Sequence, residues 1–404
     1  MPKRGKNLRV VQDDEVLDLD KYWETEKNID EQINAYRRKR RRMLILGIVA
    51  ILVIITATYL VVHFQTYTKI KTVQEVETSD VTESGYQQFA AGVLRYSKDG
   101  ISLLNKSGDV IFNQPYQMRN PIVTVSESAA AVADKEGNEA YIFNKEGLIG
   151  EVKTSAPIEK VTVSEQGILC ALLKGDTAPS IICYDTKGTV LVEHKSTLAT
   201  TGYPVDARIS EDGKGMIVSY LHIKEKQVES KIGYYSFAGE NDKSDKVGIK
   251  EVVYEGELVP TVGFLRGDIS FHVGEKSLSI YRGITEPTEV SKVNFDLEIS
   301  SVASDSKYIA VLLKDKTQYE VRLFGANGKE KMRSQVKNVY SHMKVVDGQV
   351  ILYDGTNICI VLKDGVERFV GEADKPILEV YPLWGVNKYA IINSSGMETV
   401  RLTK

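Results

Sequence analysis

Residues 157 to 194 read PIEKVTVSEQGILCALLKGDTAPSIICYDTKGTVLVEH. Four short runs rich in β-branched and aromatic residues stand out: EKVTVS (159–164), GILCALLK (167–174), SIICYD (180–185) and TVLVEH (189–194). Runs of this length between polar turns predict strands, and glycine at the turns supplies the positive φ that tight hairpins demand. Pro157 stands ahead of the first strand, where it removes no ladder hydrogen bond. The stretch therefore predicts one four-stranded antiparallel sheet.

The same unit recurs on both sides. A strand, a tight polar turn with Gly and a second strand appear in SLLNKSGDVIF (Gly108), YIFNKEGLIGEV (Gly147), IICYDTKGTVLV (Gly188), YYSFAGEND (Gly239), SIYRGITEPTEV (Gly283), VRLFGANGKEKM (Gly328), CIVLKDGVERFV (Gly365) and IINSSGMETVRL (Gly396). Successive glycines lie 39, 41, 51, 44, 45, 37 and 31 residues apart. A second register runs in step with the first: a strand closing on Ser and an acid, in PIVTVSES (Pro121), PIEKVTVSEQG (Pro157), PVDARISEDG (Pro204) and EISSVASDS (Glu298). Four strands repeating at about 40 to 45 residues mark a β-propeller blade. Tandem β-sandwiches would need roughly 100 residues each and no phased turn at 40. The prediction is an all-β chain, a propeller of eight four-stranded blades over residues 86–404, with seven blades as the alternative.

The last unit is one strand short, because IINSSGMETVRLTK runs to Lys404. Within the connector 63–85, TKIKTVQEVETS (68–79) alternates like a strand and has no other partner. It is expected to close the ring, which removes the exposed edges of an open solenoid.

Upstream, Met43 to Val62 reads MLILGIVAILVIITATYLVV, uncharged throughout. Twenty residues of helix span about 30 Å, the thickness of a bilayer core, so one transmembrane helix is expected. Its length, the 42 residues before it and the bulky exit from Tyr59 to Phe64 argue for an uncleaved anchor rather than a signal peptide. Arg37, Arg38, Lys39, Arg40, Arg41 and Arg42 abut its start, whereas Lys69 and Lys71 are the first basic residues beyond it. That asymmetry puts the N-terminus in the cytoplasm and the propeller outside the cell membrane, and the six charges also suit anionic lipids.

Residues 1–42 form a cytoplasmic tail with 12 basic and 9 acidic side chains. Residues 1–19 carry too few apolar side chains to fold alone, and a juxtamembrane helix capped at Asp20 is expected to run on into the span. Val16, Leu17, Leu19, Tyr22 and Trp23 among acids read either as a docking peptide for a cytoplasmic partner of residues 1–36 or as a solvated tail. The rest of the chain is net acidic, which argues against nucleic acid as a partner.

Chemistry-bearing patterns are sparse. His63, His194, His222, His272 and His342 fall in five segments with no metal-ligand spacing, and no GxSxG elbow, phosphate loop or clear dinucleotide fingerprint accompanies the propeller units. No metal, cofactor or catalytic residue is assigned. Asp134, Glu136, Asn138 and Glu139 lack the remaining spacing of a calcium loop and fall where the period demands a polar turn. Cys170 and Cys183 are equidistant from a turn centred on Asp176 and Thr177. An extracellular setting permits a disulfide there; with Cys359 left over, two buried small hydrophobes is the favoured reading. Trp384 and Tyr381 in VYPLWGVNK, and Tyr203 in TTGYPVD, are candidate partner contacts, with local packing against the blade the favoured reading.

The order of basic cluster, single span, short strand and propeller units with [N/D]xxG turns resembles an uncharacterised family of single-pass membrane proteins from Gram-positive, clostridial-type bacteria, known as a domain of unknown function. The turns NKSG, NKEG and DTKG are also similar to those of quinoprotein-type propeller repeats, including bacterial assembly scaffolds, but the regularly spaced Trp of those repeats is absent here. The expected function is a membrane-anchored extracytoplasmic binding or scaffold module for a protein or cell-envelope partner. The alternative is a propeller-type hydrolase or other glycan-active enzyme with carboxylates in its central channel.

Overall fold

In the computed structural model the described residues are 19–77, 84–175, 178–237, 248–316 and 318–404, with side chains described from residue 33 in the N-terminal helix and from residue 250 in the strand Gly248–Glu255. The chain divides into two compact units, Met1–Gln65 and Thr66–Lys404. In the first, one helix runs from Leu19 to His63 without interruption, one residue ahead of the expected cap at Asp20. Its part Ile33–His63 holds an 18-residue stretch with a mean hydropathy of 2.8 and is long and apolar enough to cross a membrane. Thr56 and Thr58 donate their hydroxyls to Leu52 O and Ile54 O, so neither leaves a polar group unpaired along the apolar stretch. Of the proposed docking anchors, Val16 and Leu17 lie outside the described residues, as do the side chains of Leu19, Tyr22 and Trp23.

The second unit is an eight-bladed propeller of four-stranded antiparallel sheets, which rules out the seven-blade alternative. Blades one to seven are consecutive in sequence: 85–115, 121–153, 158–195, 203–255, 261–294, 298–336 and 342–372. Blade eight takes Ile377–Pro382, Lys388–Asn393 and Gly396–Thr403 from the C-terminus and Lys69–Glu77 from the start of the unit. First strands of most successive blades touch, including Gly85–Phe89 with Ile377–Pro382, so they line the ring's inside. Second strands are apolar on both faces, as in Leu169–Leu173, because a neighbouring blade covers each side. Outermost strands such as Val110–Pro115 and Val190–Lys195 are largely exposed.

Seven of the eight turn glycines lie among the described residues, all at positive φ; Gly239 lies outside them. Gly396 has a different place from the others. It turns the second strand of blade eight into the third, because the next connection in that blade is not covalent. This accounts for its short spacing from Gly365.

Eight apolar clusters occupy the eight blade interfaces. Cys170, Val218 and Tyr235 belong to the one between blades three and four. Val93 and Leu104 meet Tyr381, Ile392 and Met397 in the one that joins blade eight to blade one. The ring closes by backbone pairing from Lys69 opposite Thr403 to Glu77 opposite Gly396, with a register shift between Thr72 and Gln74. Residues 78 and 79 of the expected closing strand lie outside the described residues. Side chains reinforce the seam: Thr72 donates to Glu398 at 3.1 Å, and Lys375 bridges Glu75 at 2.7 Å and Glu398 at 3.2 Å. Just ahead, Tyr67 is buried in the cluster between blades seven and eight. On the inner ring, two lysines clasp the next blade in the same way. Lys160 reaches Val205 O and Asp206, and four blades on Lys344 reaches Val380 O and Glu379.

A chain beginning at Ser84 is expected to melt roughly 10 °C or more below one beginning at Thr66, or to aggregate, since it lacks the closing strand and Tyr67. Equal melting curves by circular dichroism would show that residues 66–83 are only a tether.

Candidate partner-binding surface

Antiparallel order places the turns after the first and third strands of every blade on one face, and those after the second strand and between blades on the other. The Ser-acid repeat lies on the first of these faces, at the ends of the innermost strands. Its serines are structural: Ser164 and Ser210, both fully buried, accept the amides of Ile168 and Gly215, and Ser126 accepts that of Ala129. The Glu211 carboxylate accepts the amide of Gly267 in the next blade, and the turns of blades three and four are joined by Glu165 N–H donating to Glu211 O at 3.0 Å. Burial raises the pKa of Glu211, as do the charges of Glu165 and Glu127, while Gly267 N–H and Arg266 oppose the shift. Three glutamates from blades two to four thus share one sector of the channel mouth. Asp305 of blade six instead accepts amides of its own turn, Lys307 and Tyr308.

Trp384 lies on the same face, in the turn Leu383–Asn387, and is 88% exposed. The turn is pinned at both ends. Leu383 packs into the cluster between blades eight and one, and Asn387 exchanges hydrogen bonds with Leu402, Nδ2 donating to its carbonyl and the Leu402 amide to Asn387 O. The equivalent turns of blades seven and one are only two residues long, Asp347–Gly348 and Ala90–Ala91, so neither neighbour shields the indole. Val386 in the same turn is also exposed.

The other aromatic candidates part company with it. Tyr381, expected as a contact residue, is 2% exposed and hydrogen-bonds Met397 Sδ inside the last interface, so it is a core residue. Tyr203 is partly exposed on the opposite face, where its hydroxyl donates to Glu159 at 2.8 Å. The side chains of Arg37 to Arg42 are exposed along the helix of the first unit.

Sequence reading missed two buried networks between blades. Tyr220 and Tyr235 share a hydroxyl bond of 2.6 Å, and Tyr235 meets His194 Nε2 at 3.1 Å, tying blade three to blade four. Tyr234 and Tyr254 of blade four meet the two ring nitrogens of His272 at 2.9 Å, with Tyr281 stacked on the imidazole. Burial lowers His272 to about 3 and raises the surrounding phenols, so ring and hydroxyls are neutral and mutually satisfied. In blade four, His222 and Glu229 pair at 2.8 Å, and His222 and Lys231 hold Ala199 O and Thr200 O of the preceding connection. These groups brace the fold. Cys170 and Cys183 sit directly opposite in adjacent strands and are disulfide-bonded, against the expectation of two separate thiols. Cys359 is buried, its thiol pushed up to about 12 and so unreactive. Asp134 accepts the amides of Arg119 and Asn120, and Asn138 donates to Thr154 O, as connection-bracing residues do. Among the described residues no group of three His, Cys, Asp or Glu is placed to hold a metal ion.

The chain belongs to the family of unknown function DUF5711, which matches residues 63–402. No curated protein matches it. Among solved structures, BamB from Moraxella catarrhalis is similar over 83% of this chain and 100% of that one, at 10% identity and a TM-score of 0.51. The Pan2 WD40 domain of Neurospora crassa is similar over 70% and 90%, at 10% identity and a TM-score of 0.43. At 10% identity the likeness to BamB shows the propeller fold alone.

Two measurements separate surface from core. Trp384→Ala is expected to leave unfolding free energy within about 0.5 kcal/mol of the parent, whereas Tyr381→Ala loses about 3 to 5 kcal/mol. For His272, burial holds the folded-state pKa below the unfolded-state value of about 6.5, so the unfolded chain takes the proton first. Its contribution is whole above that pH and falls as pH drops toward 3. Between pH 7.5 and 5 the loss from this group is about 2 kcal/mol. Denaturant unfolding across that range should show a flatter slope in His272→Gln; an unchanged slope would remove His272 as its source.

Proposed function

We propose that this protein is a non-enzymatic binding module, anchored in the cell membrane by the helix of its first unit and holding its propeller outside, that captures a protein or envelope polymer on the face bearing Trp384. The exposed indole carries the reading. A large aromatic held on a pinned loop contributes contact area with little ordering cost, the property that makes Trp a frequent interface anchor. The glutamates at the channel mouth on the same face favour a partner with basic groups. The basic cluster at Arg37–Arg42 supports a cytoplasmic N-terminus. The Cys170–Cys183 bond supports an oxidising location for the propeller. Residues 1–36 would then be free to engage a second partner inside.

A glycan-cleaving reading draws on a separate observation, the raised pKa of Glu211 beside Glu165. It stands only if the protein releases reducing ends from purified cell wall and Glu211→Gln stops that release.

Two experiments test the binding reading. Protease added to intact, wall-stripped cells is expected to digest the chain beyond Phe64 and spare an N-terminal tag; loss of the tag would reverse the topology. A photo-crosslinking residue placed at 384 in living cells is expected to yield a discrete adduct that one at 203, on the opposite face, does not. Adducts from 203 alone would move the binding surface to the other face.

A further inference from the structure

On the face that carries Trp384, a cavity of about 500 Å³ opens beside the first blade, within the size range of small-ligand sites. Ala90, Ala91, Gly92, Leu103 and Ile111 form its walls. Lys106, Ser107, Lys145 and Glu146, from the turns after the third strands of blades one and two, stand at its rim.

The opening follows from what blade one lacks. Blades two, three and four place a Ser-acid turn after the first strand, whereas blade one turns on Ala90 and Ala91 alone. Ala90 holds φ at +50°, a region that favours Gly or Asn. Gly92 has no room for a side chain, because a Cβ there would lie 2.1 Å from Leu104 O. Three successive small residues therefore keep the space empty. Ile111, in its wall, and Val110 beside it are 52% and 57% exposed.

The rim is charged and open to solvent. Neither lysine forms an ion pair, and the Ser107 hydroxyl has no hydrogen-bond partner, among the described residues. Glu146 offsets one cation, which leaves the rim with a net positive charge.

We infer that this cavity binds an amphipathic anion, an unbranched alkyl chain ending in a carboxylate or phosphate. The chain lies against the exposed Ala90, Ala91 and Ile111, with the buried Leu103 beneath them, and the anion meets Lys106, Lys145 and the Ser107 hydroxyl. Apolar walls reward each methylene removed from water, and two ammonium groups with a hydroxyl donor select the charged head. The site is independent of partner capture by Trp384. Leu383, next to that indole, packs on Val93 and Leu104, on the other side of the blade-one sheet from Leu103.

The test uses the full chain in phosphatidylcholine nanodiscs and a palmitic acid carrying a diazirine near its methyl end. After irradiation, adducts are mapped by mass spectrometry. They are expected on peptides spanning residues 90–111, with palmitate or lysophosphatidate competing; the stronger competitor identifies the head group as carboxylate or phosphate. Hexadecanol, which lacks the charge, should compete at least tenfold more weakly. Shortening the competing acid by two methylenes should weaken it roughly tenfold. Lys106→Gln with Lys145→Gln, both exposed, should lower labelling about tenfold without changing the melting curve, and Ala91→Trp should abolish it by filling the space. Adducts confined to residues 43–62 or scattered over the propeller would overturn the inference. So would equal competition by hexadecanol, or parental labelling of the lysine double variant.

Discussion

Everything in the propeller rests on backbone pairing between Lys69–Glu77 and Gly396–Thr403. A blade has no core of its own; its apolar side chains are buried only by the blades beside it, which is why each apolar cluster spans an interface. An open row of eight blades would expose one face of the first and one of the last. Joining them buries Val93 and Leu104 against Tyr381 and Met397 and turns a row into a ring. The bond from Thr72 to Glu398 crosses 326 residues of sequence, so the closing contacts carry the largest loop-closure cost in the fold. Local hairpins can form early, and the seam must wait until both ends are present.

Closure also explains the burial of the strands. The second strand of a blade has a neighbouring blade on each face, so Leu169–Leu173 and the strand Ala130–Asp134 read as unbroken apolar runs rather than alternating ones. The outermost strand meets solvent along one edge and shows alternation instead, as Val190–Lys195 does. Reading strand composition alone recovers which strand is central and which is outermost.

Blade number was legible because it depends on local turn chemistry repeated at a fixed period, and the closing strand because the last unit lacks a strand that the alternating stretch after the span can supply. Three features were not. Gly396 fits the turn pattern but occupies a different turn, since nothing local marks a connection as missing from the chain. Tyr381 reads as an aromatic near a loop; its burial depends on blade one, whose sequence begins nearly 300 residues earlier. The Tyr–His networks join residues 18 to 41 positions apart across blade boundaries, with no spacing that hydrophobic periodicity could report. The Ser-acid repeat was visible as a motif, yet its two residues divide their work only in three dimensions: in blades two to four the serine closes the turn and the acids gather at one sector of the mouth, whereas in blade six the acid closes the turn.

Turn length after the first strand decides what the binding face displays. Where Ser, an acid and their neighbours form a longer turn, as in blades two to four, the serine locks the loop and glutamates gather at one sector of the mouth. Blades seven and one have two-residue turns instead, and the consequences appear on both sides of blade one. Toward blade eight, the pinned turn of Trp384 stands clear of its neighbours; toward blade two, the space that a longer turn would fill becomes a cavity walled by Ala90, Ala91 and Leu103. An exposed aromatic and an apolar pocket thus arise from the same shortening, while the ring beneath stays regular. A propeller can vary its ligands in this way because the residues that close the ring and those that meet a partner belong to different segments.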